Sequence, residues 1–140
     1  MELNWKQILF GRRKRLNSLN TEPVAGISSV SEMRKILLSE RARADRNGHE
    51  FSIIILDIDH DHYDQKQIDN LFQVLKCRLR SIDEIGWLSE NQISIVLMYT
   101  IGENATKVAA DITGLIDESI IQLKKILTYP SRWPYKKNQD

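Results

Sequence analysis

Two short stretches of the sequence hold side chains whose types and spacing suit chemistry. In DIDHDHYD, residues 57–64, Asp57 and Asp59 stand one residue apart, with His60, Asp61 and His62 directly behind them. Carboxylates at alternate positions of a strand end are a common way to hold Mg2+, because a hard cation takes oxygen ligands and the backbone adds a carbonyl. Phosphoryl transfer with two metals needs a further acid from a second element. The same segment can be read as a transition-metal or hydrolase centre, since alternation sets His60 and His62 on one face. His49 is the only other histidine and Cys77 the only cysteine, so no distant ligand set completes such a centre. A solvated acidic loop is the preferred reading, with carboxylates capping the following backbone. In RSID, residues 80–83, Arg80 and Asp83 stand three apart. Turned toward each other they form a local ion pair, worth little if exposed; turned outward they offer a planar donor fork beside an acceptor.

The elements that must position these residues are legible from periodicity. Ser29 with Glu32 is a capping-box pattern, and Met33, Ile36 and Leu37 start an apolar stripe before SERARADRNG turns polar and stops at Gly48. A helix with a solvated second half is expected there. FSIIILDID, residues 51–59, is apolar on both faces and suits a central buried strand ending in carboxylates. Ile68, Leu71, Phe72, Leu75 and Leu79 mark one face of an amphipathic helix, with Cys77 opposite. DEIGWL and QISIVLMY are strands joined by a hairpin-length SEN. Val108, Ile112, Leu115 and Ile116 mark a second helix from about Asn104, and SIIQLKKILTY closes as a strand.

After the leading helix the order is strand, helix, strand, strand, helix, strand, the split βαββαβ arrangement. The expected fold is α/β (α+β), a ferredoxin-like antiparallel sheet with helices on its face and an extra N-terminal helix. Strand one lies beside strand three, so Asp57 and Asp59 share an edge with the turn Ser89 to Asn91.

FSIIILDID followed by RSIDEIGWLSENQISIVL resembles the GGDEF family, the diguanylate cyclase domain with a nucleotide cyclase fold. In that family a strand ending in Asp-x-Asp faces a hairpin bearing the Gly-Gly-Asp-Glu-Phe signature. Alignment places Ser89, Glu90, Asn91, Gln92 and Ile93 on the five signature positions, and none is retained. The two glycines that let backbone approach substrate become Ser89 and Glu90, and the two acids become the amides Asn91 and Gln92. Amides carry no charge to hold a second metal. Where the family has a Phe and a phosphate-contacting Lys after its Asp-x-Asp-His, this sequence has Asp61 and His62, and the guanine-surrounding segment is shortened to YDQKQIDNLF. The resemblance implies a degenerate cyclase domain without diguanylate cyclase activity, with no cofactor beyond a weak Mg2+ at Asp57 and Asp59. Arg80 and Asp83 match the family's inhibitory Arg-x-x-Asp, five residues before the signature, which implies a cyclic di-GMP site in which Arg80 meets a guanine edge or phosphate and Asp83 accepts from guanine. ERARADRNGHEFS, DEIGWL and YPSRW are similar to the degenerate version that accompanies bacterial exopolysaccharide sugar-phosphate transferases.

At 140 residues, 41% hydrophobic and 28% charged, the chain suits one globular domain with a basic N-terminal arm and linker (1–28), the GGDEF-like domain (29–133) and a polar tail (134–140). A net charge of +1 gives no overall pull toward nucleic acid. Lys6, Arg12, Arg13, Lys14 and Arg15 concentrate positive charge in the arm, where Trp5, Ile8, Leu9 and Phe10 could enter an anionic membrane surface or be covered by a second chain. A lone cysteine and the absence of a long apolar run point to the cytoplasm, peripheral to the inner membrane if the arm engages it. Trp87 and Trp133 read as core or edge-covering aromatics. Three functions follow: an inactive regulatory module binding a protein partner or a second copy, a cyclic di-GMP receptor, or a Mg2+-dependent phosphotransfer or hydrolytic enzyme using Asp57 and Asp59.

Overall fold

The computed structural model describes residues 27–59, 64–116 and 121–130. The leading helix α1 (Val30–Asn47) begins at the expected capping box: the Ser29 hydroxyl accepts the Glu32 N–H at 3.1 Å and the Glu32 carboxylate accepts the Ser29 N–H at 2.9 Å. It stops at Gly48, whose φ of 78° is accessible to glycine without strain and whose N–H reaches the Ala44 carbonyl at 2.8 Å. Strand β1 (Phe51–Ile58) follows. Helix α2 (Gln65–Arg78) is capped by Asp64 and Gln67 and buries Ile68, Leu71, Phe72 and Leu75, the face its periodicity predicts.

Strands β2 (Glu84–Ser89) and β3 (Gln92–Met98) form a hairpin around Glu90 and Asn91, helix α3 (Gly102–Leu115) crosses back, and β4 (Ile121–Tyr129) ends the sheet. The order β2-β3-β1-β4 is antiparallel throughout and puts β1 beside β3, as the βαββαβ reading expects.

Strand β1 is buried on both faces because each face meets its own helical layer. Ile54, Leu56 and Ile58 pack with α2 and α3, and Phe51, Ile53 and Ile55 pack with Met33, Leu37 and Ala44 of α1. Burying one such isoleucine or phenylalanine is worth about 1.5–3 kcal/mol, so this strand anchors both layers. Trp87 stacks edge-on against Phe72 at 5.5 Å between centroids, the core-covering role expected of it; Trp133 lies outside the described residues.

Three details depart from the sequence reading. Helix α3 starts at Gly102 and turns Ala105, Ala109 and Ile112 inward, while Leu115 is 56% exposed; Val108 and Ile116 are only partly buried. Alanines at this spacing let the helix lie close to the sheet, which shifts the inward stripe off Leu115. Glu40, in the polar half of α1, is buried: it accepts from His49 at 2.7 Å and pairs with Arg43 at 3.3 Å. Ile27 is buried in the core, and Ser28 forms a parallel bridge with Gly86, its N–H reaching the Ile85 carbonyl at 3.1 Å and its carbonyl receiving the Trp87 N–H at 3.0 Å. Gly86 is required for this approach: a Cβ there would meet the Ser28 carbonyl oxygen at 2.9 Å and the Met33 methyl at 2.7 Å.

Candidate functional site

Asp57 closes the β1–β3 ladder opposite Gln92, the first residue of β3. The backbone holds this junction, with the Ile58 N–H donating to the Asn91 carbonyl at 2.8 Å. Across it the Gln92 side-chain amide donates to Asp57 Oδ1 at 3.0 Å, and the Ser89 hydroxyl reaches Gln92 Oε1 at 3.4 Å. The hairpin therefore presents a hydrogen-bond donor to the carboxylate. A Mg2+ ion takes oxygen ligands, and at this point Asp57 supplies a carboxylate while Gln92 meets it through the amide N–H. Asp59, half-buried, lies one residue beyond the strand end. His60, Asp61 and His62 lie outside the described residues. Among the described residues, no three His, Cys, Asp or Glu side chains gather around a common point.

Arg80 and Asp83 sit at the other end of the β2–β3 hairpin. Seven-residue β3 separates Gln92 from Met98, about 20 Å at 3.3 Å per residue, so the two sequence-predicted pairs are not one site. The connection between α2 and β2 folds back so that Asp83, only 2% exposed, accepts three bonds from Arg80: from its backbone N–H at 3.0 Å, from Nε at 3.1 Å and from Nη2 at 3.0 Å. Arg80 Nη2 also donates to the Met98 carbonyl at 2.9 Å and to the Thr100 hydroxyl at 3.0 Å. The pair thus ties the segment before β2 to the turn after β3, while half of the Arg80 side chain faces solvent.

That turn carries a feature invisible in the sequence. Tyr99 has a φ of 54°, in the left-handed region where a bulky residue is an outlier, and its ring is exposed but lies 4.6 Å from the His49 ring. Glu40, His49 and Tyr99 therefore link α1 to the turn that Arg80 holds from the other side. Spacing gives no clue to this group, whose members are separated by up to 59 positions. On the α1 side of the sheet, the Tyr129 hydroxyl donates to Asp45 at 2.7 Å and accepts from Arg41 at 3.2 Å. Burial first, and then the bond to Asp45, raises the Tyr129 hydroxyl above the ordinary tyrosine range, with Arg41 opposing.

No family model matches the sequence, and no curated protein matches it. Solved structures do. A DGC protein from Thermotoga maritima superimposes with a TM-score of 0.65 at 17% identity, over 78% of this chain and 86% of that one. The GGDEF domain of DgcB from Caulobacter crescentus, in complex with c-di-GMP, superimposes with a TM-score of 0.56 at 12% identity, over 84% of this chain and 74% of that one. The chain has the GGDEF-domain fold. The diguanylate cyclase SiaD from Pseudomonas aeruginosa, in complex with its activator SiaC, superimposes with a TM-score of 0.56 at 16% identity; the match covers 76% of this chain and 47% of that one. In this chain the turn of the β2–β3 hairpin is Glu90 and Asn91, with Gln92 bonded to Asp57.

Proposed function

We propose that this GGDEF-fold chain is a catalytically inactive regulatory module that acts by binding another protein in bacterial signalling, in the branch that controls exopolysaccharide. The observation that carries the reading is the 3.0 Å bond from the Gln92 amide to Asp57. An uncharged amide, not a second carboxylate, faces Asp57 across the hairpin, and two-metal chemistry requires a further acid. Two solved structures of the same fold support the binding part of this reading, one in complex with c-di-GMP and one in complex with an activator protein. No helix among the described residues is long and apolar enough to cross a membrane; the cytoplasmic face of the inner membrane, reached by the basic arm, is part of the proposal.

The test is prolonged incubation with GTP and Mg2+ or Mn2+, followed by chromatographic detection of cyclic di-GMP and of hydrolysis products. No product is expected, and turnover abolished by Asp57→Asn would overturn the reading in favour of a Mg2+-dependent enzyme. The receptor alternative rests on the half-exposed Arg80 side chain. Calorimetric titration with cyclic di-GMP tests it: saturable binding lost in Arg80→Ala supports a receptor, and silence leaves Arg80 and Asp83 as a structural clasp.

A further inference from the structure

Charge and chain path separate the two ends of the sheet. At the hairpin end the elements are joined through residues 57–64, 89–92 and 116–121, which hold four, one and two acids and no Lys or Arg. The opposite end is where β1 and β2 start and β3 and β4 finish. Both outer parts of the chain join the fold there. Ser28 pairs with Gly86 in parallel, its N–H on the Ile85 carbonyl and its carbonyl on the Trp87 N–H, so the chain reaches Ile27 from the side of Glu84, where β2 begins. β4 finishes at Tyr129, opposite Phe51 at the start of β1, and the chain leaves through Pro130.

We propose that this second end is a docking face for an anionic lipid surface, with the acidic hairpin end turned away from it. Residues 1–26 hold five Lys or Arg against two acids, and residues 131–140 hold three against one. These segments carry +3 and +2 in a chain of net charge +1, so residues 27–130 carry −4. A chain so polarised orients in the field of an anionic bilayer, its basic end inward. The two segments also contain Trp5, Phe10, Trp133 and Tyr135, residues that settle at the headgroup layer. On the fold itself this end exposes Ile82 at 46% and Tyr99 at 60%, and Arg80, half-exposed, bonds the residues on both sides of Tyr99. The fold's own charges here are mixed, Glu50, Glu84 and Glu103 with Arg43, Arg46 and Arg80, so attraction comes from the two segments and orientation from where they join. A nucleic acid offers the same phosphates but no layer for the apolar side chains. The proposal rests on the membrane location proposed above and specifies which end meets it. The two readings fail separately: GTP turnover overturns the inactive module, whereas the vesicle titration below addresses only the lipid face.

The test titrates the full chain with vesicles of phosphatidylcholine alone and of phosphatidylcholine with about a third phosphatidylglycerol. Co-sedimentation reads binding, and a spin label on the lipid headgroup reads orientation through broadening of amide signals. Saturable binding to the anionic vesicles is expected, with Ile82, Tyr99 and their neighbours broadened and Glu90 and Asn91 spared. Arg12→Gln with Arg13→Gln, and Lys136→Gln with Lys137→Gln, should each weaken binding about tenfold or more. Ile82→Ser, at an exposed position, should weaken it several-fold with the thermal midpoint unchanged. Absence of binding, equal binding to neutral vesicles, broadening centred on Glu90 and Asn91, or full affinity without Lys136 and Lys137 would each overturn the proposal. So would tighter binding to duplex DNA than to the vesicles, or self-association that salt abolishes and that prevents vesicle binding.

Discussion

Replacing Arg80 and Asp83 singly and together decides whether they are a clasp or a ligand site. In Arg80→Ala the Asp83 carboxylate, 2% exposed, loses two of its three donors, and the Met98 carbonyl and Thr100 hydroxyl lose one each. Stranding a fully buried ion costs roughly 3–5 kcal/mol, whereas exposed pairs contribute about 0.2–1. Because half of the Arg80 side chain is solvated, water can replace part of what is lost, and an intermediate cost of about 2 kcal/mol is expected. Asp83→Ala leaves Arg80 its bonds to Met98 and Thr100 and should cost about 1.5 kcal/mol, and the double variant about 2.5, leaving a coupling near 1 kcal/mol. Urea unfolding of the four proteins measures the cycle, and the Arg80→Ala midpoint in heat should fall by about 10 °C, at roughly 5 °C per kcal/mol for a domain of this size. A coupling under about 0.3 kcal/mol, within the range of independent sites, would refute the clasp and leave the pair poised for something outside the chain.

Gln92→Glu places a second carboxylate against Asp57 and should destabilise the domain by about 1–2 kcal/mol in chelator, with millimolar Mg2+ restoring stability in the variant and not in the parent protein; equal Mg2+ response in both would place the ion elsewhere. At Tyr99, Gly should be more stable than Ala by about 1 kcal/mol, since both remove the ring and only Gly is at ease at a φ of 54°, and thermal melts of the two variants compare them directly. The raised Tyr129 hydroxyl keeps its proton in the folded chain at a pH where the unfolded chain has lost it. Its contribution is therefore complete below the unfolded value of 10.0 and lost as pH rises through the folded value. Denaturant unfolding between pH 9 and 11, about that value, should show a decline that Tyr129→Phe reduces.

Much of the architecture is carried by local pattern. The Ser29 and Glu32 capping box, the Gly48 stop, the two-faced apolar run of β1 and the 3.6-residue stripe of α2 each state their structure within a few residues, because caps and burial periodicity are short-range consequences of backbone geometry. Element order then restricts the topology, and the β1–β3 neighbourhood that brings Asp57 to the hairpin follows from it. The sequence also determined that the amides Asn91 and Gln92 stand at the hairpin beside Asp57. It did not determine that Gln92 turns its N–H onto Asp57, that Asp83 is buried under Arg80, or that Glu40 is sunk beside His49. Nor did it reveal the strained Tyr99 or the latch of Ser28 on Gly86. Each of these depends on the distance between residues far apart in the chain or on a torsion imposed by the surrounding packing. A charged side chain reads as solvated until a partner removes it from water, and only the packed sheet and helices decide which carboxylates receive one.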